Sequence, residues 1–223
     1  MCFSPEADIV SGVAIGALAV DTLRHHPARE NLPLAMLPAV FAAHGLIEAF
    51  VWFAGRGQVS DTIGTPATYA YLTIAFGVLP TLLPYAVRAR EPSGVRRNAL
   101  TLLLFIGLAV SATLLWATFN GPVTATLHDH FIRYRVGIPG VTLVTAACAL
   151  ATCAAALLSS SREIVAFGVL NVVAVSLLAW LNVGALTSLW CGWAAIASLA
   201  IVLMVRKDGK KDSPPRRVTV VRP

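Results

Sequence analysis

Two ionisable residues lie four positions apart inside an apolar stretch, FAAHGLIEAFVWF, and they are the first candidates for chemistry. Residues at i and i+4 share one face of a helix, so His44 and Glu48 would lie side by side. Trp52 continues the same face. Ionisable side chains are costly in a bilayer core and normally face the bundle interior or a wet cavity. The pair therefore predicts either a functional site or a His–Glu hydrogen bond that only fixes the packing.

Two cysteines and a serine extend this candidate site. The chain begins MCFSPEAD, with Cys2 directly after Met1, and a later apolar stretch, GALTSLWCGW, holds Ser188 and Cys191. At 1.5 Å per helical residue, Glu48 and Cys191 would each lie about 9–10 Å below the same membrane surface. Thiolate, imidazole and carboxylate donors together suit Zn, Fe or Cu. The predicted metal ligands are Cys2, His44, Glu48 and Cys191. A Cys2–Cys191 disulfide is the alternative. In an enzyme, Glu48 would act as the base, with His44 and Ser188 as further catalytic candidates.

A second cluster of candidate ligands lies in segment 119–137, in the run LHDHFIRYR. If that run is extended, His128 and His130 point the same way, because side chains alternate along a strand. Together with Asp129 they form a secondary candidate site for a borderline metal. The alternative is a lid at the level of the lipid head groups, for which the aromatic residues of the run are suited.

The composition indicates that membrane-spanning helices position these residues. Of the 223 residues, 57% are hydrophobic and 13% charged, and the mean hydropathy is +0.75. A soluble domain of this size usually carries about twice that charge. Seven apolar stretches approach the ~20 residues that cross a bilayer; they are 8–24, 32–54, 67–87, 98–118, 138–159, 163–181 and 184–205. We predict an all-α domain of seven transmembrane helices over residues 1–205, followed by a basic, disordered cytoplasmic tail over residues 206–223.

The distribution of basic residues predicts the orientation. With the N-terminus outside, fourteen of the seventeen Lys and Arg fall in cytoplasmic links and in the tail. This bias is what the positive-inside rule requires. It places Cys2 at the outer surface and the C-terminus inside. Because the basic residues lie between apolar runs and not over one face, nucleic-acid binding is excluded, and the lipid bilayer is the predicted partner.

Three short runs carry a family resemblance: the start MCFS, the stretch AHGLIEAFVW and the run TSLWC. Together they resemble an uncharacterised family of bacterial integral membrane proteins that begin Met-Cys-Phe-Ser. The resemblance covers most of the chain and implies a multi-pass protein of the bacterial plasma membrane with a seven-span bundle. The topology is also similar to that of the alkaline ceramidase and adiponectin-receptor hydrolases, which hold zinc with three intramembrane His. This chain has only His44 within a predicted span, and its last span offers Ser188 and Cys191 in place of His.

Two main classes of function are compatible with these features. The first is an outward-facing intramembrane Cys/His/Glu site that binds a metal or carries out thiol chemistry, in a membrane-embedded hydrolase or redox protein. The second is a small proton-coupled transporter or channel in which His44 and Glu48 relay protons. An accessory subunit of a membrane complex, or a homo-oligomer, is a third option. The predicted inner half of the bundle is nearly all apolar, which favours the one-sided site.

Overall fold

A computed structural model describes residues 4–25, 28–182, 193 and 196–205. Cys2, Ser188 and Cys191 lie outside the described residues, as does the predicted tail. The described helices and strands are, in chain order, α1 Pro5–Arg24, α2 Leu32–Gly55, α3 Asp61–Leu72, α4 Leu79–Arg90, α5 Val95–Asn120, β1 Val123–Leu127, β2 Ile132–Val136, α6 Val141–Leu157, α7 Arg162–Asn182 and α8 Ile196–Val205. The described part of the chain is therefore mostly helical, as predicted.

Within the described part of the chain, three continuous helices are long and apolar enough to cross a membrane: Leu32–Gly55, Asp61–Arg90 and Val95–Asn120. The second of these comprises α3, a π-helical turn and α4. Helices also occupy much of each other predicted span, at α1, α6, α7 and α8. The chain thus has the character of a membrane protein, while seven membrane crossings and their orientation remain predictions.

A π-helical turn at Thr73–Val78 precedes Pro80 in the long third helix. Proline has no N–H to donate to the carbonyl four residues back, and its ring clashes with that carbonyl. The helix adapts nearby, where the N–H of Leu79 donates to the carbonyl of Ile74, five residues earlier. Helix α5 passes close to this region. A Cβ on Gly107 of α5 would collide with the carbonyl oxygen of Pro80, so only glycine fits there without a shift.

Residues 123–136 form an antiparallel β-hairpin, so the prediction of an all-α protein is wrong for this segment. The register pairs Val123 with Val136 and Leu127 with Ile132. Ile132 is fully buried and belongs to an apolar cluster with Val51 of α2. Strands of five residues rich in Val, Thr and Ile are stable here because one face packs on helices. The hairpin covers the C-terminal end of α2.

Polar contacts stabilise the connections between helices at both ends of the bundle. Near the hairpin, the guanidinium of Arg56 lies 3.7 Å from the carboxylate of Glu6, which joins the end of α2 to the start of α1. At the opposite end, the buried carboxylate of Glu91 accepts bonds from the backbone N–H and the hydroxyl of Ser160, at 2.9 Å and 3.1 Å. This end is therefore more polar than predicted, and an apolar core separates it from the hairpin.

Candidate functional site

Asp8, His44 and Glu48 are buried at one level of the bundle and form the centre of the candidate site. Their exposed fractions are 0%, 2% and 0%, so the predicted inward orientation of the His44–Glu48 face is confirmed. Helix α1 supplies Asp8. The backbone carbonyl oxygen of Asp8 lies 3.8 Å from the position that a Cβ on Gly45 would occupy. Gly45 adjoins His44 and precedes Glu48 by less than one helical turn. The three buried residues therefore lie at a similar depth in the bundle, on α1 and α2, and are called the ionisable layer below.

Local sequence places the start of α1 just before Asp8. Ser4 has an extended backbone, and its hydroxyl accepts a hydrogen bond from the N–H of Ala7 at 3.3 Å, as an N-cap residue does. Pro5 suits the first helical turn. The acidic residues of that turn interact favourably with the positive end of the helix dipole. A hydrogen bond with the Ser4 side chain, followed by one with the backbone, holds the pKa of exposed Glu6 below its usual value.

Three stacked aromatic rings connect the hairpin to the ionisable layer. The ring centroids of His44 and Tyr71 are 3.9 Å apart with 14° between the planes. Tyr134 of β2 lies on the Tyr71 ring at 4.5 Å and 21°. Aromatic pairs contribute about 0.5–1.5 kcal/mol beyond the burial of their area. The stack holds the imidazole plane, and the Nδ1 atom of His44 has no hydrogen-bond partner among the described residues.

Trp52 lies one turn after Glu48 and closes the layer on the side of the hairpin. Its side chain is 2% exposed and packs in a cluster with Ile132. The guanidinium of Arg56 lies 5.4 Å from the centroid of the indole ring, within the range of a cation–π contact. The prediction that Trp52 continues the face of His44 and Glu48 is consistent with this burial. A water-excluding cover of this kind strengthens electrostatic interactions beneath it.

The metal set predicted from the sequence lies only partly within the described residues. Cys2, Ser188 and Cys191 are outside them, so their proximity to His44 and Glu48 stays a prediction. Within the described ranges, no group of three or more His, Cys, Asp or Glu could hold a metal ion. The described members of the ionisable layer do not form a complete metal site by themselves. A metal there would need at least one further ligand.

The secondary candidates His128, Asp129 and His130 form the tip of the hairpin. The N–H of His128 donates to the carbonyl of Phe131 at 2.9 Å, which closes a tight turn. The run is therefore not extended here, because the chain reverses between His128 and His130, and the condition for both His to point the same way is not met. His128 stacks on Phe131 at 4.6 Å, while Asp129 and His130 are exposed. No metal-holding group occurs here among the described residues.

Sequence reasoning missed Asp8, Tyr71 and Tyr134 as members of the site. A signal for Asp8 is present, because Asp8, Gly12 and Gly16 are spaced by four and share one face of α1. A face of small residues is where another helix approaches closely. A carboxylate on that face should therefore be buried against its neighbour. The two tyrosines have no comparable signal, since their partners are far away in the sequence.

Together, the fold and this site define a helical membrane protein with a buried layer of carboxylates and imidazole beneath a β-hairpin. The chain belongs to DUF6629, a family of unknown function whose sequence model matches residues 1–217. Comparison with curated proteins and with solved structures found no match.

Proposed function

We propose that this protein carries an outward-facing intramembrane site that binds a Zn, Fe or Cu ion through His44 and Glu48. The observation that carries the proposal is the burial of Asp8, His44 and Glu48 in one layer. Ionisable groups inside a membrane domain are expensive and mark functional sites by default. Imidazole and carboxylate donors suit a borderline transition metal. The stack on Tyr71 holds the imidazole in one plane, which favours a site of defined geometry.

Cys2 and Cys191 are the proposed remaining ligands. Cys2 precedes Ser4 by two positions, a separation that an extended chain spans in about 7 Å. Ser4 caps the helix that brings Asp8 against Gly45, so the thiol begins within reach of the ionisable layer. Metal binding deprotonates such thiols, which makes the affinity depend on pH. A Cys2–Cys191 disulfide without metal is the rival arrangement.

The chemistry that such a site supports is that of a membrane-embedded hydrolase or redox protein. A bound metal of this class supplies Lewis acidity, or a redox centre in the case of Fe or Cu. Among the residues of this chain, Glu48 is the proposed general base, because its carboxylate is buried one turn from His44. If Cys2 is not a metal ligand, its thiol is the proposed nucleophile, and Ser188 is a further catalytic candidate. Trp52 and the hairpin lie over the layer on the proposed outer side.

A proton-coupled transporter or channel is the second candidate, and the polar groups at the opposite end of the bundle favour it. There, Asn31 and Glu91 are buried, at 6% and 4% exposure. A relay would need titratable groups between the two ends. Instead, α2 contributes Leu37 and Phe41 to an apolar cluster on the path from Asn31 to His44. The apolar separation supports a site confined to the hairpin side of the bundle.

We also propose a multi-pass plasma-membrane protein with seven spans and an outer N-terminus. In support, the arginines that flank the link between α4 and α5 lie at the end of the bundle opposite the hairpin, where Arg97 donates to the carbonyl of Glu91. An impermeant thiol reagent on intact cells should label Cys2 in a chain whose other cysteines are serine. It should not label Ser213→Cys in a fully cysteine-free background. Labelling in the tail would reverse the orientation.

Elemental analysis of the purified chain tests the metal site. We expect about one Zn, Fe or Cu per chain in the wild type, with most of it lost in His44→Ala, Glu48→Gln and Cys2→Ser, since each removes a ligand. Thermal unfolding of these variants should change only modestly, by the ordinary cost of a substitution. Chelation should release free thiols from the wild type without a reductant.

His25→Ala provides the matched control for this experiment. His25 is exposed at the far end of α1, with 66% of its side chain accessible, so its removal should leave the metal content unchanged. Thiols that appear only after reduction, in a metal-free wild type, would identify the disulfide instead. Failure of both His44→Ala and Glu48→Gln to fold would show that the pair is structural.

A further inference from the structure

The β-hairpin has two chemically different faces. The register pairs Thr124 with Arg135 and Thr126 with Arg133. Side chains alternate along a strand, so these four residues share one face, and the Cα atoms of the two arginines are about 7 Å apart. The opposite face packs on the helices through Leu127, Ile132, Tyr134 and Val136. The hairpin therefore presents two guanidinium groups and two hydroxyls away from the protein core.

Arg133 is held on this face with an unused hydrogen-bond donor. Its guanidinium carbon lies 5.8 Å from the centroid of Phe131, a cation–π distance. Its Nε atom is shielded from solvent, yet it has no hydrogen-bond partner among the described residues. A buried donor without an acceptor is destabilising. Arg135 is exposed. An acceptor from outside the chain would therefore be stabilised at this face.

The hairpin lies where the head groups of a bilayer would be. It follows the apolar helix α5 directly, and the last turns of that helix expose Trp116 and Phe119, at 66% and 60%. Exposed aromatic residues at the end of an apolar helix mark the membrane interface. Arg133 and Arg135 are also two of only three basic residues in the links predicted on this side. Their presence here goes against the general charge distribution of the chain.

We infer that Thr124, Thr126, Arg133 and Arg135 form a binding site for the phosphate group of a membrane phospholipid. Guanidinium groups bind phosphate oxygens through charge-assisted, often bidentate hydrogen bonds. The threonine hydroxyls across the ladder can donate to the same oxygens. This inference is independent of the proposed metal site, because the four side chains lie on the face of the hairpin opposite to Tyr134 and its ring stack.

Thermal unfolding of the full chain in detergent tests the inference with three additives. Phosphatidylglycerol is expected to raise the Tm of the wild type by several degrees, because a ligand that binds only the folded state stabilises it. Diacylglycerol with the same acyl chains lacks the phosphate and should raise the Tm much less. The double variant Arg133→Gln/Arg135→Gln should lose most of the shift with phosphatidylglycerol. Inorganic phosphate is the third additive and separates a free anion from a lipid.

Arg29→Gln/Arg96→Gln is the matched control, because it removes the same charge from two exposed arginines away from the hairpin. It should retain a shift close to that of the wild type. A full Tm shift with inorganic phosphate alone would support the phosphate site, but it would identify the ligand as a free anion and not a lipid. An unchanged shift in Arg133→Gln/Arg135→Gln, or an equal shift with diacylglycerol, would overturn the inference. If that variant fails to fold, Arg133→Lys/Arg135→Lys serves in its place; it keeps the charge without the bidentate geometry and should show a weakened shift.

Discussion

Replacing Tyr71 by alanine should reduce the free energy of unfolding by about 3–5 kcal/mol, as truncation of a large buried aromatic residue does. Tyr71 is fully buried, and its ring lies between those of His44 and Tyr134. The substitution removes both stacking contacts and leaves a cavity beside the imidazole. It also removes the ring that connects Tyr134 of the hairpin to His44. Thermal unfolding of the purified protein in detergent measures the effect.

Tyr69→Ala is the control for this prediction. Tyr69 precedes Tyr71 by two residues, is half-buried, and stacks on Phe119 at a longer distance of 5.7 Å. Its truncation should cost about 1 kcal/mol, the centre of the range for point mutants. Tyr71→Phe keeps the ring and should retain most of the stability, so its metal content reports on the hydroxyl alone. Equal losses in Tyr71→Ala and Tyr69→Ala would contradict the central position of the stack.

Gly107→Ala is expected to destabilise the protein by about 1–3 kcal/mol, the usual cost of overpacking. A Cβ at this position would overlap the carbonyl oxygen of Pro80, which is backbone and cannot move aside without shifting the helix. The direction of the change in stability is informative, since alanine in a helix interior is normally more stable than glycine by about 1 kcal/mol. Steric overlap between α4 and α5 should reverse that preference. Denaturant or thermal unfolding measures the difference.

Gly16→Ala makes the same chemical change at a helix contact with more room. A Cβ on Gly16 would meet the Cβ of Ala42 at 3.7 Å, an ordinary van der Waals contact. This variant should be as stable as the wild type or slightly more stable, because of the gain in helix propensity. A stable Gly107→Ala would show that α4 and α5 lie further apart than described.

The sequence alone determined the features that depend on local periodicity. The spacing of His44, Glu48 and Trp52 predicts one shared helix face, and its burial follows because ionisable side chains avoid lipid. Helices are present in the described part of each predicted span, since long apolar runs need internally satisfied backbone hydrogen bonds in a membrane.

Only the tertiary structure decided which distant residues join the candidate site. Tyr71 stacks on His44, Tyr134 stacks on Tyr71, and the backbone of Asp8 lies beside Gly45, so the site is assembled from three helices and a strand. No local pattern reports such contacts, because their energy comes from packing between elements far apart in the sequence. The hairpin was unpredictable for the same reason, since five-residue strands are stable only where a surface receives their apolar face. The side chain of Ile132 finds that surface at Trp52, eighty positions earlier in the chain.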